Sequence, residues 1–194
     1  MYKFFIRKLK EFNQQNFITN KYMYNKDQQY IYNLDYKDVL QLNEIKDNVN
    51  LVYADPPYTT NKYSRYYHLL NTLVLYDYPE ISKNRNGEYT KGLYRSRRMK
   101  SNFCSKVKAI NEIENLFNLC KENKKVLILS YAYPSNPEKQ NTSRYSASVD
   151  DIIKSGRKIF GKDNFKINIK SYEHSNQRKS SNKSVNEFLL IGKY

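Results

Sequence analysis

"LVYADPPYTTNKYSRYYHLL", residues 51 to 70, decides the fold. An apolar, strand-like run ends in Asp55, Pro56, Pro57 and Tyr58, and a stretch with helical spacing follows. Each proline fixes φ near −65° and removes an N–H donor while keeping its carbonyl. The turn is therefore stiff and sets carbonyl acceptors beside a carboxylate and an aromatic ring. A strand opening into such a turn predicts a ligand site at the C-terminal edge of an α/β sheet. The cluster suits a primary aromatic amine. Asp55 and the carbonyl of Pro56 each accept one amino hydrogen, Tyr58 stacks on the heterocycle, and the nitrogen lone pair is left for an electrophile.

The surrounding pattern extends this unit. "YIYNLD" (30 to 35) and "NLVYAD" (50 to 55) are β-prone runs with the helix-like "YKDVLQLNEI" between them, a β-α-β rhythm. The first 29 residues carry no clean periodicity and are expected to form a poorly ordered lead-in, leaving residues 30 to 194 as a single domain. Apolar residues at 66, 69, 70, 73 and 74 predict a helix over Ser64 to Tyr76 with one buried face. Residues 82 to 101 hold seven basic residues against one acid and predict an exposed basic loop. A helix over about 103 to 121 leads into "KKVLILSY" (124 to 131), a continuous apolar run expected of a strand buried on both faces. A polar loop and the short helix "DDIIKSGRKIF", closed near Gly161, come next. "FKINIKSY" and "VNEFLLIGKY" then predict an antiparallel pair joined by a basic loop.

Composition narrows the function classes. With 34 Lys and Arg against 19 Asp and Glu, the chain carries +15, which favours polyanions and makes nucleic acid the leading partner. Lys, Asn and Tyr are all abundant, as an AT-rich genome dictates, so coding bias supplies part of that excess. No apolar run approaches the roughly 18 residues of a membrane span, and the start lacks a signal peptide's apolar core. These features predict a soluble, cytoplasmic protein without a membrane partner. Cys104 and Cys120 lack metal-ligand spacing, and His68 and His174 have no Cys or acidic partner for a nucleophile or metal site. No metal is expected. Arg65, Arg95, Arg97, Arg98, Arg178 and Lys179 fall in segments near the upper edge of the predicted sheet and are candidate phosphate contacts. Tyr63, Tyr66 and Tyr67 are candidates to line a base pocket, with core packing the better expectation for at least one of them.

"DPPY" after "NLVYA" resembles the catalytic motif of the amino-methyltransferases that modify adenine N6, or less often cytosine N4, in DNA. "YSRYYHLLNTLVLYDYPEI" resembles the segment following that motif in a subgroup of restriction-modification adenine methylases. "KVLILSY" resembles their next core strand, and the final hairpin resembles the last two strands of their sheet. The resemblance covers about residues 30 to 194. It implies part of a Rossmann-like class I methyltransferase fold, a three-layer αβα arrangement of parallel strands with a C-terminal antiparallel hairpin. It also implies that Asp55, Pro56, Pro57 and Tyr58 hold a base flipped out of double-stranded DNA, and that S-adenosylmethionine is the methyl donor. Asp35 falls where the family has a motif at the edge of the cofactor pocket. His174, beside Asn176, Gln177 and Arg178, falls where the family contacts the target base.

One departure stands out. The family holds its cofactor with a Phe-x-Gly-x-Gly turn, in which glycines let the backbone approach the ligand. Here the glycines are Gly87, Gly92, Gly156, Gly161 and Gly192, all after the catalytic turn. The chain is therefore expected to correspond to the C-terminal part of a methyltransferase, with unpaired sheet edges. Its cofactor half is either a separate polypeptide, or the gene is truncated and the product inactive alone. A non-catalytic nucleic-acid binder descended from such an enzyme is the alternative, and methylation of RNA or of protein glutamine is a smaller one.

Overall fold

The computed structural model describes residues 30 to 174 and 183 to 194. The chain divides into two units, Met1–Asp35 and Tyr36–Tyr194. In the first, residues 30 to 35 are irregular with one bend, and no strand forms at "YIYNLD". β-prone side chains do not make a strand by themselves: its backbone groups need a ladder partner, and none occurs for this run among the described residues. Ile31 is fully exposed as a result.

The second unit is built on a four-stranded sheet. Its strands are β1 (Leu51–Ala54), β2 (Val126–Pro134), β3 (Phe165–His174) and β4 (Lys183–Gly192), in the order β1-β2-β4-β3. β1 and β2 run parallel, and β4 pairs antiparallel with both β2 and β3. This mixed sheet, parallel at the turn and closed by an antiparallel hairpin, is the one expected for part of a methyltransferase fold. The helices are α1 (Tyr36–Val39), α2 (Asn43–Asn48), α3 (Tyr63–Tyr66), α4 (His68–Leu75), α5 (Ala109–Glu122) and α6 (Val149–Phe160). The single helix expected over "YKDVLQLNEI" is thus two short helices, separated where Leu42 takes an extended backbone.

α5 and α6 close over one face of the sheet. Ile113, Leu116, Phe117 and Cys120 recur at i, i+3, i+4 and i+7 along α5, so one stripe of that helix is buried. They meet Leu127, Leu129 and Tyr131 of β2, Ile152 of α6 and Leu190 of β4 in one core. Each fully buried apolar side chain contributes about 1.5–3 kcal/mol. Phe117, Phe160 and Phe165 pack ring against ring at centroid distances of 5.6, 6.0 and 6.1 Å. Two glycines make room for these rings. A Cβ at Gly156 would lie 2.2 Å from the Phe165 ring, and one at Gly192 would lie 2.6 Å from Phe160. Ser148 starts α6 by accepting the Asp151 amide at 3.3 Å, and Gly161 ends it with a φ of 89°.

Val52 and Ala54 pair with Leu127 and Leu129 and share their helix-covered face. Leu51 and Tyr53 point to the other face, where they are 50% and 59% exposed. A second exposed apolar surface overturns a sequence-based expectation. The stretch from residue 63 to 75 is helical, broken at Tyr67, but Tyr66, Leu69, Leu70, Leu73 and Val74 are each more than half exposed instead of buried. Periodicity fixes which side chains share a face; burial also needs an element to cover it, and no described one does.

Candidate active site

β1 delivers the Asp55–Tyr58 turn to the C-terminal edge of the parallel pair, with Asp55 exposed, Pro56 buried, and Pro57 and Tyr58 half-buried. The carboxylate is thus available at the surface while the segment behind it is fixed. Segment 142 to 147, after β2, straps that turn in place. The Ser146 amide donates to the Tyr58 carbonyl at 3.0 Å and the Thr60 amide to the Arg144 carbonyl at 2.8 Å, with an antiparallel bridge between Thr59 and Tyr145. Prolines 56 and 57 offer no N–H for such bonds, so the ladder begins at Tyr58, the first residue able to join it fully.

Aromatic packing continues the strap. The Tyr58 ring lies nearly parallel to that of Tyr145, at 6.2 Å and 20°, and edge-on to Tyr131 at 5.9 Å. Tyr145 is itself buried against Tyr133 at 5.0 Å and carries the Arg144 guanidinium 5.1 Å above its ring. The Tyr131 hydroxyl, deep in the core, donates to the Ala147 carbonyl at 2.9 Å and accepts the Ala147 amide at 3.2 Å. Burial pushes that phenol up to about 12, so it stays protonated and keeps donating. Tyr145 also lines a cleft of about 260 Å³ with Tyr133, Thr142, Ser146, Lys106 and Asp151. Its volume falls just short of the roughly 300 Å³ at which small-molecule sites begin. In the sequence, 142 to 147 reads as plain polar loop, and the one signal it carries is Tyr145, a lone aromatic within a polar stretch, following the alternating Tyr131 and Tyr133.

On the other side of the turn, burial raises the Tyr63 phenol, and the nearby Asp55 charge adds to the shift. Tyr63, at the start of α3, is thus near enough to the Asp55 carboxylate to feel its charge. Behind it, buried Glu112 anchors α1 and the 3-10 turn Asn102–Cys104 to α5. Glu112 accepts from Tyr36 at 2.9 Å and Asn102 at 3.2 Å, and pairs with Lys37 at 2.5 Å. Burial acts to raise this carboxyl, but those three donors outweigh it and hold it below the usual range.

The candidate phosphate contacts divide into two groups. Arg95 makes a bidentate ion pair with Asp77 at 3.0 and 2.5 Å, and its hydrogen bond lowers the Asp77 carboxyl. Arg65 and Arg98 hold their guanidiniums 4.9 and 4.6 Å from the Tyr94 ring centre, and His68 meets the same ring edge-on at 4.9 Å. These side chains brace the segment they belong to. Arg97 is exposed, on a left-handed backbone with φ 53°. His174 ends β3, Arg178 and Lys179 lie outside the described residues, and Asp35 belongs to the first unit. Cys104 and Cys120 are buried free thiols, and no group of three metal-ligating side chains occurs among the described residues.

The sheet order, parallel at the Asp55–Tyr58 turn and closed by an antiparallel hairpin, is that of part of an α/β methyltransferase fold. Comparison gives the family: the model for D12 class N6 adenine-specific DNA methyltransferases matches residues 1–140, and the chain belongs to that family. Among curated proteins, it is 40% identical over 86 residues to the type II methyltransferase M.FokI of Planomicrobium okeanokoites, covering 43% of this chain and 12% of that protein. It is 38% identical over 68 residues to the modification methylase LlaI of Lactococcus lactis subsp. lactis, covering 35% of this chain and 10% of that protein. The matched stretches are thus about a tenth of the length of these relatives. No solved structure matches.

The described residues do not fit a cradle for S-adenosylmethionine. Gly87 and Gly92 lie between α4 and α5, Gly156 lies within α6 and Gly161 at its end, and Gly192 closes β4. None occupies a turn from a strand into a helix.

Proposed function

We propose that this chain is the methyl-acceptor portion of a DNA adenine N6 methyltransferase of a restriction-modification system, acting in the cytoplasm on double-stranded DNA. The observation that carries this reading is the Asp55–Tyr58 turn, at the sheet edge and tied to the 142 to 147 strap by two backbone hydrogen bonds, one donated by Ser146 to Tyr58 and one by Thr60 to Arg144. Asp55 and the Pro56 carbonyl hold the two hydrogens of the N6 amine of a flipped adenine, and Tyr58 stacks on its ring. Drawing both hydrogens toward the acceptors on one side frees the nitrogen lone pair on the other, and the nitrogen that gains the methyl group loses one of its two hydrogens as a proton through the same acceptor cluster to solvent. S-adenosylmethionine supplies the methyl group when bound to a complementary segment carrying the glycine turn. Asp35 belongs at the margin of that segment's pocket. The exposed face of Leu51 and Tyr53 and the uncovered apolar helix α4 support the need for such a segment. Parallel strand pairs are ordinarily covered on both faces.

The test is incorporation of labelled methyl groups into duplex DNA by the chain with and without a co-expressed cofactor-binding half, followed by nucleoside analysis. The reading expects N6-methyladenine only when both parts are present. DNA binding with no methylated base under either condition would instead identify a non-catalytic nucleic-acid binder, the reading favoured by the lack of a glycine cradle.

A further inference from the structure

The exposed basic loop folds back on itself as an irregular hairpin ribbon, with two isolated bridges and a turn at Lys91 and Gly92 between them. The Ser96 amide donates to the Glu80 carbonyl at 2.7 Å, the Ser82 amide to Tyr94 at 2.6 Å, the Thr90 amide to Ser82 at 3.0 Å and the Asn84 amide to Glu88 at 2.8 Å. Bridges pair Ile81 with Arg95 and Lys83 with Tyr89. Asn84 organises the tip, its side-chain oxygen accepting the Asn86 and Glu88 amides at 2.9 and 3.0 Å, and Gly87 takes the left-handed turn with φ 82°. The stem is clamped by the Arg95–Asp77 ion pair and by Arg65 and Arg98 at the Tyr94 ring. Ser64 of α3 donates to the Met99 carbonyl at 2.8 Å, which returns the segment to the helix immediately following the acceptor turn.

Charge is distributed unevenly along this ribbon. Arg95 and Arg98 are spent within the stem, whereas Lys83, Arg85, Lys91 and Arg97 are exposed, Lys83 with its ammonium 5.3 Å from the Tyr89 ring centre. At the tip, the side chains of Arg85 and Asn86 make no hydrogen bond or ion pair among the described residues. Arg and Asn are the side chains that read guanine and adenine edges through paired hydrogen bonds. Arg85 and Asn86 form the turn of the hairpin, beyond the Asn84–Glu88 hydrogen bond. The major groove is about 8.5 Å deep and wide enough for a two-stranded ribbon.

Resting on the reading that duplex DNA is the substrate, we propose that the ribbon of residues 80 to 96 enters the major groove, with Arg85 and Asn86 reading base edges and Lys83 and Lys91 contacting phosphates. The acceptor turn then works on a base while the ribbon selects the sequence around it.

The test is selection of bound duplexes from a pool with a randomised central segment, using the full chain, its Arg85→Ala/Asn86→Ala variant and its Lys83→Ala/Lys91→Ala variant. The parent should enrich a motif. The tip variant should lose one or two base positions from it, with affinity for the parental motif falling about 5- to 100-fold and the salt slope held. The lysine variant should keep the motif, bind all sequences more weakly, and lower the slope of log K against log salt by about 1.8. A stem variant, Arg95→Ala, should blur the same positions as the tip variant. No enrichment by the parent, or an unchanged motif and affinity in the tip variant, overturns the proposal. The selection involves no methyl transfer, so its failure leaves the acceptor role of Asp55 standing, and an inactive acceptor turn leaves the ribbon's role standing.

Discussion

Replacing Tyr131 by Phe removes one oxygen and tests whether the strap is a built element or a passing contact. The ring is almost wholly buried in the core and stays so in the variant, so apolar packing is conserved. Lost are the bond donated to the Ala147 carbonyl at 2.9 Å and the one accepted from the Ala147 amide at 3.2 Å. Leaving a buried backbone group without its partner costs about 1–3 kcal/mol. Ala147 is only half-buried, so water replaces part of what is removed. The expected destabilisation is therefore about 1–2 kcal/mol, read as a lower urea midpoint with an unchanged m value. The loosening should be local as well. The Ser146 and Thr60 amides, which tie the strap to the turn, should exchange with solvent faster, while the amides of β4 keep their relative protection. An unchanged midpoint together with unchanged exchange at Thr60 and Ser146 would refute the reasoning, because the hydroxyl would then hold nothing in place.

Three further outcomes are expected. Gly156→Ala gains about 1 kcal/mol of helix propensity but sets a Cβ 2.2 Å from a buried ring; overpacking costs about 1–3 kcal/mol, so thermal melting should show a lower midpoint. The Asp77 carboxyl is depressed by its hydrogen bond from Arg95, so the ion pair contributes fully above the unfolded carboxyl pKa of about 3.9 and is lost as pH falls through the lower folded value; an acid titration followed by Tyr94 chemical shifts should show the ribbon stem loosening only there, and Asp77→Asn should abolish that transition. Tyr58→Phe should keep most methyl transfer by the complemented chain while Tyr58→Ala loses it, since a base stack contributes about 1–3 kcal/mol through the ring and not the hydroxyl; steady-state methylation rates of the two variants decide it.

Much of the sheet was legible because its signals are local. The apolar run at 124 to 131 is β2, continued to Pro134, and the two C-terminal β-prone runs are the β3–β4 hairpin. The turn at Asp55 was legible because two prolines after a strand leave little conformational choice. What escaped depends on partners distant in sequence. "YIYNLD" carries strand residues but finds no ladder among the described residues, and the apolar stripe of α4 finds no cover. Tyr145 reaches Tyr58 across 87 positions of sequence, a contact with no local trace. The basic segment is the exposed loop that its composition predicts, but what orders it, Arg95 with Asp77 and two guanidiniums at Tyr94, uses charged residues that composition alone assigns to solvent.

The central claim is that the Asp55 carboxylate holds the acceptor amine. The most direct measurement is labelled-methyl incorporation into duplex DNA by the Asp55→Ala chain with its cofactor-binding half, normalised to bound DNA. Asp55 is exposed at the strand end, so its removal leaves the core intact, and one carboxylate contributes nothing to phosphate attraction. The account predicts that methyl transfer is abolished while DNA affinity stays near the parental value. Transfer at the parental rate by Asp55→Ala would contradict it and reduce the turn to a strand terminator.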